Sequence, residues 1–476
     1  MKFISFVSSI IKFTTLFATL FNATPILAAT LSEEIKSSLA AYSKKVSFSV
    51  RNPAGQEVFQ HRGDQSMAPA SVAKIVSTAC SLSALGPSYQ FETIFSYRGQ
   101  VTGDVLKGDL IISGNGDPSL VTEHLREIIE KIRVLYGIRK IDGDLIFDIS
   151  YFNSEGLKIS EGFEADAGRS FTTLLTPFPM NQNSFAVWAA PDLGSGQKAR
   201  VSILPANVLD IRITNQVREA GNTQLSVSYQ PQTRSAVVTG TVDRDGDLKG
   251  VYRAAPDTYD YYFRLIQKIW KDSGGEWSKG SYKTDRIVQN RKTLIKHQSK
   301  YLSQILMDVN KFSLNLGAEL VFLGAGAKEG SLPATYEKSK NMFNRCLSEY
   351  GVSSEDISLM NASGLARDSK IKTSALSQFL YKYHESQFSS EYLASLSILG
   401  VDGTAKARLN QFAGRGRVKT GTLRDVRSIA GYIYDEKHRP YSFAMFFNDV
   451  SMGDPKIKAT EDEILEKIFR KNFKFD

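Results

Sequence analysis

Residues 67–74 read MAPASVAK and open an apolar pattern that continues to Leu85. Apolar side chains recur there at i, i+3, i+4 and i+7, which is the spacing of one buried helix face. A proline before the pattern and a Gly-Pro pair after it are ordinary helix start and stop signals. We therefore predict a helix from Ala70 to Leu85, with Ser71 in its first turn and Lys74 one turn further on the same side.

Ser71 and Lys74 have the chemistry of a nucleophile and its base. A serine hydroxyl attacks weakly at neutral pH, and a neutral lysine can remove its proton once burial or a cationic neighbour has lowered the lysine pKa. The helix dipole also favours negative charge at this end. Because Ser-x-x-Lys is common by chance, the interpretation depends on whether the chain supplies the other parts of such a site.

Composition and charge narrow the class of protein. The chain has 476 residues, of which 42% are hydrophobic and 23% charged, as in an ordinary folded protein of two or three domains. Its formal net charge of +9 is a mild excess spread along the chain, without clusters of arginine and aromatic residues. This argues against nucleic acid as a partner and favours an anionic polymer, with charge aiding encounter more than specificity.

The N-terminus has the pattern of a secretory signal peptide. Lys2 and Lys12 precede an apolar run at 13–21, and small residues follow at Ala28-Ala29. The run is too short to span a bilayer as a helix. We expect residues 1–29 to be a signal peptide and the protein to be periplasmic or secreted, with an uncleaved anchor as the alternative. Beyond this segment, no membrane association is expected.

The rest of the chain divides into segments with different predicted secondary structure. Segments 30–92 and 287–476 combine amphipathic helices with antiparallel strands, whereas 93–286 consists largely of short strands and turns. We predict an α+β fold in which an antiparallel sheet flanked by helices is interrupted by a large β-rich insertion of two small domains. A last helix, predicted at 461–473, is expected to cover the apolar face of the sheet rather than to lie on a membrane surface.

Two cysteines are present, Cys80 in the first motif helix and Cys346 in a later helical stretch. An oxidising compartment would permit a disulfide between them. Free cysteine, however, is usually a small buried apolar residue. We therefore expect two separate core thiols.

Two further motifs supply groups that an acyl-transfer site needs. Ser313-Leu314-Asn315 stands at the head of a predicted helix, where the serine can relay a proton and the asparagine can both donate and accept hydrogen bonds with an amide. Lys419-Thr420-Gly421-Thr422 lies on a predicted strand, so that Thr420 and Thr422 share a face. With the lysine, they can form a cationic cradle for a carboxylate, and Gly421 allows close approach of a ligand backbone.

Ser-x-x-Lys, Ser-x-Asn and Lys-Thr-Gly, in this order, form the signature of penicillin-recognising serine enzymes. Further stretches agree, namely GNGDPSL at 114–120, SGLARD at 363–368 and DGT at 402–404. The sequence resembles the low-molecular-mass class C penicillin-binding proteins, which are D-alanyl-D-alanine carboxypeptidases and endopeptidases of the penicillin-binding protein 4 type. The long separation between the first two motifs, where that family carries extra domains, is the most telling feature.

The resemblance implies a reaction and its first steps. The substrate is a peptidoglycan stem peptide ending in D-Ala-D-Ala, or a cross-link with a D-Ala carbonyl at the cut bond, and β-lactam antibiotics are covalent inhibitors. Ser71 is expected to attack this carbonyl with Lys74 as general base. Backbone N–H groups of Ser71 and Thr422 are expected to form the oxyanion hole. No cofactor or metal is implied.

The remaining roles concern the leaving group and substrate binding. Ser313 is expected to pass a proton to the leaving amine with the help of Lys419, and Asn315 to hold the substrate amide. Lys419, Thr420 and Thr422 are expected to bind the carboxylate of the leaving group.

The sequence departs from the family pattern at two places. Leu314 replaces a residue that is usually polar, and Asn361-Ala362 stands where Asp-Gly is common. Both departures bear on how the peptide stem is gripped, and neither removes a group that transfers protons.

Two alternative functions remain open at this point. A serine β-lactamase shares the first steps, but residues 363–368 supply no second-base glutamate and the large insertion argues against it. A catalytically idle wall-binding scaffold is the other alternative, against which the intact Ser71, Lys74, Ser313 and Lys419 weigh.

Overall fold

A computed structural model gives the structure of the protein and describes residues 29–152, 157–158, 169–170, 173–192, 199–245, 249–278, 280–286, 288–451 and 454–475. Its α-helices are α1 Leu31–Leu39, α2 Ala73–Leu85, α3 Thr122–Tyr136, α4 Thr258–Asp272, α5 Leu302–Lys311, α6 Asn315–Gly330, α7 Tyr336–Glu349, α8 Thr373–His384, α9 Ser389–Ser395 and α10 Pro455–Arg470. Its strands are β1 Val46–Arg51, β2 Glu57–His61, β3 Ser66–Met67, β4 Glu92–Thr102, β5 Val105–Gly114, β6 Lys140–Asp142, β7 Leu145–Asp148, β8 Leu157–Lys158, β9 Leu174–Leu175, β10 Ser184–Ala190, β11 Arg200–Leu204, β12 Arg212–Glu219, β13 Gln224–Gln230, β14 Ser235–Val242, β15 Lys249–Ala254, β16 Glu276–Trp277, β17 Tyr282–Asp285, β18 Lys292–Gln298, β19 Ile357–Ser358, β20 Lys370–Lys372, β21 Ser397–Ile398, β22 Gly416–Leu423, β23 Val426–Tyr434 and β24 Pro440–Asn448.

A six-stranded antiparallel sheet joins the two ends of the chain. Its order is β2-β1-β24-β23-β22-β21, so that the N-terminal hairpin pairs with the last strand. Successive residues of β23 and β24 point to opposite faces and enter two different apolar cores. The predicted antiparallel sheet flanked by helices is confirmed.

Helices cover both faces of this sheet. On one face, α1 and α10 pack against β1 and β24, and Ile464, Leu465 and Ile468 of α10 are fully buried there. The last helix therefore covers the sheet, as predicted, although it spans 455–470 rather than 461–473. Among the described residues, no helix combines the length and apolar character needed to cross a bilayer.

On the other face, α2 lies at the centre of a helical core formed with α5, α6, α7 and α8. The sequence pattern predicts one buried face for this helix, but the structure buries almost all of it, including Ser77, Thr78 and Ser81. Their hydroxyl groups donate to backbone carbonyls, so burying them leaves no hydroxyl donor unpaired. The helix that carries the first motif is therefore held on every side.

The middle of the chain builds its own apolar core, separate from the two that lie on the faces of the six-stranded sheet. Strands β4 to β7 and β16 to β18 form one sheet, on which α3 and α4 pack, and β10 to β15 form two three-stranded sheets. Strand β18 lies beyond the predicted boundary at 286, but it pairs with β4. We propose that the inserted region extends from residue 93 to 298, because this strand completes its sheet.

Cys80 and Cys346 form a disulfide, so the prediction of two separate thiols is wrong. The bond joins α2 to α7, with 5.7 Å between the two Cα atoms and a sequence separation of 266. Each cysteine lies on an apolar helix face, as predicted, but these two faces pack against each other. Sequence periodicity indicates burial and says nothing about which helix lies opposite.

Replacing both cysteines with alanine is expected to lower the free energy of unfolding by about 2–5 kcal/mol, because the bond closes a long loop in the unfolded chain. Chemical denaturation of the oxidised wild type and the C80A/C346A variant measures the difference. Wild-type protein unfolded with and without a reducing thiol controls for the volume that the alanines remove. Equal stability under all these conditions would contradict the prediction.

Candidate active site

Ser71 lies in a short 3-10 turn at Ala70–Val72, and α2 begins at Ala73. The sequence predicts one continuous helix from Ala70, but Ala70 has φ +48°, which breaks the helical conformation just before the serine. The Nζ atom of Lys74 nevertheless donates to Ser71 Oγ at 3.0 Å. The expected side-by-side placement of these two side chains is therefore present, with Ser71 half-buried at the edge of the site.

The Lys74 amine has no exposed surface and makes three contacts. Besides Ser71 Oγ, it contacts Asn315 Oδ1 at 2.6 Å and the Ser363 carbonyl oxygen at 2.8 Å. Burial holds the pKa of Lys74 well below its usual value, the positive charge of Lys419 lowers this pKa further, and the negative charge of Glu319 opposes both effects. A lowered pKa is what the proton-accepting role of a lysine requires.

The second motif stands at the start of α6. Asn315 is the first helical residue, and Ser313, just before it, has φ +60° in the left-handed region. Lys419 Nζ from β22 donates to Ser313 Oγ at 3.0 Å and to the Thr420 carbonyl oxygen at 2.7 Å. Burial lowers the pKa of Lys419 to about 7. The site thus contains two serine–lysine pairs, Ser71–Lys74 and Ser313–Lys419.

The third motif lies on β22, at the point where the sheet passes the Ser71 turn. Lys419 and Gly421 are buried, whereas Thr420 and Thr422 are more exposed, which agrees with the predicted alternation. The Thr420 hydroxyl donates to Thr404 Oγ1 at 2.8 Å. Thr404 belongs to the DGT stretch noted above, and the structure brings its hydroxyl to the rim of the site.

Gly421 allows the strand and the turn to touch. A Cβ atom at this position would collide with Ser428 Oγ and would lie 2.9 Å from the backbone nitrogen of Ser71 and from the Pro69 carbonyl oxygen. Ser428 Oγ in turn donates to this carbonyl oxygen at 2.6 Å. The close approach that the sequence assigns to a ligand at Gly421 is therefore made by the protein's own backbone, and it brings β22 against the N–H group of Ser71.

One buried group in this region was not identified from the sequence. Glu319 of α6 is fully buried, and its carboxylate accepts hydrogen bonds from the backbone N–H groups of Ala362 and Ser363. The available signal was a single acidic residue in the apolar run 316–327, four positions after Asn315. No glutamate lies within 363–368, as noted, but one contacts this segment in space.

Comparison with known proteins identifies the family. The model of the D-Ala-D-Ala carboxypeptidase 3 (S13) family matches residues 29–468. The chain belongs to this family. It is therefore a serine-type D-alanyl-D-alanine peptidase, as the three motifs predict.

Relatives of this D-alanyl-D-alanine peptidase cover most of its length. The D-alanyl-D-alanine carboxypeptidase DacB of Haemophilus influenzae is 25% identical over 427 residues, which are 86% of this chain and 86% of that protein. A D-alanyl-D-alanine carboxypeptidase of an Actinomadura species is 26% identical over 412 residues, or 81% of this chain and 74% of that protein.

Solved structures share the fold. Penicillin-binding protein 4 of Haemophilus influenzae superposes with a TM-score of 0.74 at 23% identity, over 91% of this chain and 99% of that structure. A predatory endopeptidase of Bdellovibrio bacteriovorus superposes with a TM-score of 0.52 at 15% identity, over 90% and 94%. At these identities the likeness concerns the fold, and it confirms the predicted α+β, penicillin-recognising architecture.

Substituting alanine for Gly421 is expected to reduce acylation by a fluorescent penicillin about 100-fold per folded molecule. The added Cβ would push β22 away from the Ser71 turn, and displacements of about 1 Å at a reacting centre have effects of this size. The rate of adduct formation, corrected for folded protein by circular dichroism, measures the loss.

Gly416→Ala on the same strand is the matched control. A Cβ there meets Leu399 and the Tyr432 carbonyl oxygen at 3.2 Å or more, a contact that small shifts can absorb. We expect this variant to acylate at nearly the wild-type rate. Equal losses in the two variants would mean that the strand tolerates neither substitution and that the approach to Ser71 is not the cause.

Proposed function

We propose that the protein hydrolyses peptidoglycan stem peptides at D-Ala-D-Ala termini and at D-Ala carbonyls in cross-links, through an acyl-enzyme on Ser71. The observation that carries the proposal is the pair of hydrogen-bonded groups that the three motifs form. Ser71, Lys74 and Asn315 make one group, and Ser313 and Lys419, two residues before Asn315 and on β22, make the other. The names of the relatives support the carboxypeptidase activity, and the predatory endopeptidase with the same fold motivates testing cross-links.

In the acylation step, Lys74 in its neutral form takes the proton of Ser71 while Oγ attacks the D-Ala carbonyl carbon. The backbone N–H groups of Ser71 and Thr422 stabilise the oxyanion, with each donor worth ~3 kcal/mol in comparable sites. The contact of Gly421 with the Ser71 turn supports this assignment, because it brings the strand that carries Thr422 to the nucleophile.

The leaving amine needs a proton for the C–N bond to break. Ser313 donates its hydroxyl proton to this amine and recovers one from Lys419, whose Nζ is 3.0 Å from Ser313 Oγ. With a pKa of about 7, Lys419 can release a proton near neutral pH. Asn315 Oδ1 contacts Lys74 Nζ, and its side-chain amide can hold the substrate amide.

Lys419, Thr420 and Thr422 bind the carboxylate of the leaving D-amino acid. A buried cation with adjacent hydroxyl groups recognises a carboxylate better than an exposed one, because little water competes. After the amine has left, the proton that Lys74 took from Ser71 returns to the Ser313–Lys419 pair, which gave one to the amine. Lys74, neutral again, can then accept a proton from the water molecule that hydrolyses the acyl-enzyme, and it returns this proton to Ser71 Oγ as the ester bond breaks.

We also propose that the protein works in the periplasm or outside the cell and is acylated by β-lactams. Solved structures of related fold include penicillin-binding protein 4 of Haemophilus influenzae with a β-lactam and a penicillin G-acylated predatory endopeptidase of Bdellovibrio bacteriovorus. The export signal rests on the pattern in residues 1–29, of which 1–28 lie outside the described residues.

The nucleophile is tested by incubating the purified chain with labelled penicillin and mapping the adduct by mass spectrometry. We expect a long-lived adduct on the peptide that contains Ser71 and none in Ser71→Ala. Rapid turnover of the drug would favour β-lactamase activity, and a folded protein without adduct or turnover would contradict the proposal.

Purified muropeptides then separate the two peptidase activities. Release of D-alanine from pentapeptide monomers measures the carboxypeptidase, and conversion of cross-linked dimers to monomers measures the endopeptidase. We expect both activities to disappear in Ser71→Ala, since one acyl-enzyme serves both. Activity that survives in the variant would place the chemistry elsewhere.

The pH dependence tests the role of Lys419. We expect kcat/KM for a D-Ala-D-Ala peptide to fall as the pH rises through about 7, because the free enzyme then loses the charge that binds the carboxylate. The corresponding fall in kcat should come at higher pH, since a bound carboxylate favours the protonated amine and raises its pKa.

Lys419→Arg provides the control, because a guanidinium stays charged across this range. Whatever activity it retains should lack the alkaline fall in kcat/KM. An unchanged alkaline fall in this variant would assign the titration to another group.

A further inference from the structure

The carboxylate of Glu319 is fully buried beside the site and is used by none of the steps above. Its Oε1 atom accepts from the backbone N–H of Ser363 at 2.8 Å, and Oε2 accepts from the N–H of Ala362 at 3.0 Å and from the Tyr336 hydroxyl at 2.9 Å. The carboxylate therefore fixes the two peptide planes 361–362 and 362–363. The next plane carries the Ser363 carbonyl, and its N–H group, that of Gly364, donates to Asn361 Oδ1 at 3.1 Å.

The segment that Glu319 holds lies directly against the nucleophile's turn. Gly364 has φ +76°, and a Cβ there would collide with the Ala70 carbonyl oxygen and lie 2.8 Å from the Cβ of Ala73. Ser77 Oγ donates to the Ala362 carbonyl oxygen at 2.9 Å from the other side. The Ser363 carbonyl is therefore fixed in direction, and it is one of the three partners of Lys74.

This carbonyl decides where the lone pair of a neutral Lys74 points. A neutral amine has two N–H donors and one lone pair, and Lys74 Nζ has three partners. Asn315 Oδ1 and the Ser363 carbonyl oxygen can only accept, so they take the two N–H groups. The lone pair is left for the hydroxyl proton of Ser71, which is the geometry of proton removal.

The charges around Lys74 are few. Lys419 faces it from β22 and Glu319 from α6, while Tyr336 of α7 donates to Glu319. The first turn of α2 and the segment 361–364 carry no further titratable group. Burial raises the pKa of Glu319, and the hydrogen bonds that it accepts oppose this rise.

We propose that Glu319 is a positioning residue for Lys74: it holds the segment 361–364, whose Ser363 carbonyl aims the amine at Ser71, and it places a negative charge that favours the ammonium form of this amine. The inference rests on the proposed role of Lys74 as base. The carboxylate of Glu319 is hydrogen-bonded to Tyr336, Ala362 and Ser363, so it acts on Ser71 through the lysine and the segment 361–364.

The test is the acylation rate constant for a fluorescent penicillin as a function of pH, in wild type and Glu319→Gln. The glutamine lacks the negative charge that favours the ammonium form of Lys74. The acid limb of the pH–rate profile, where the rate rises as Lys74 loses its proton, should therefore move to lower pH by about one unit. It also offers one acceptor oxygen in place of two, and the plateau rate should fall about tenfold or more. Glu319→Asp keeps the charge and shortens the reach, so its plateau should fall with a smaller displacement of the limb.

Asp435→Asn is the matched control. Asp435 is also buried and also accepts two backbone N–H bonds, from Lys437 and Arg439, but in the turn between β23 and β24. We expect this variant to lose stability and to keep both the acid limb and the plateau rate of the wild type.

A folded Glu319→Gln protein with an unmoved acid limb would overturn the inference, because a purely structural carboxylate would give that result. If this variant does not fold, Tyr336→Phe removes one donor from the carboxylate with little change in volume, and its limb should move the same way by less. An unmoved limb there would also overturn the inference. Wild-type protein that forms no adduct on Ser71 would overturn the proposed function, and the inference with it.

Discussion

The buried amine of Lys74 is the constraint on which the rest of the site depends. A charge removed from water without partners costs several kcal/mol, so this group must be surrounded by acceptors or stay neutral. Its acceptors come from Asn315 and Ser363, which lie 241 and 289 residues further along the chain. The base therefore reaches Ser71 only when α2, α6 and the segment 361–364 have packed together. The packing that stabilises the helical core is therefore also the packing that makes Ser71 reactive.

The sheet supplies the other half of the site, and the chain's topology explains why a large insertion is tolerated. Strand β22 carries Lys419 to Ser313 and presses Gly421 on the Ser71 turn, while β1 and β24 tie the two ends of the chain together. The inserted strands and helices bury their own apolar core. Because loop closure costs grow slowly with length, a self-contained unit between α2 and α5 adds little to the cost of assembling the site.

The features that could be predicted from the sequence are those whose residues lie within one helix, strand or turn. The pairs Ser71–Lys74, Ser313–Asn315 and Lys419–Thr422 each lie within a few residues, where helix or strand geometry alone sets their relation. The Cys80–Cys346 bond and the Glu319 carboxylate depend instead on which helix or turn lies opposite. Periodicity shows that a side chain is buried and does not show which groups it contacts. The sequence therefore marks Glu319 as an unusual buried acid, and only the structure shows that it binds the segment 361–364.

Two buried lysines divide the acid and base chemistry of the site. Both amines are fully buried, but Lys74 also faces the charge of Lys419, so that the two cannot both be protonated at low cost. In the proposed mechanism, Lys419 is protonated while the carboxylate binds, and its charge keeps Lys74 neutral until Ser71 is deprotonated. When Lys74 takes the proton of Ser71, the repulsion between the two cations favours moving a proton on through Ser313 to the leaving amine. Glu319 offsets part of this repulsion, because its negative charge raises the proton affinity of Lys74.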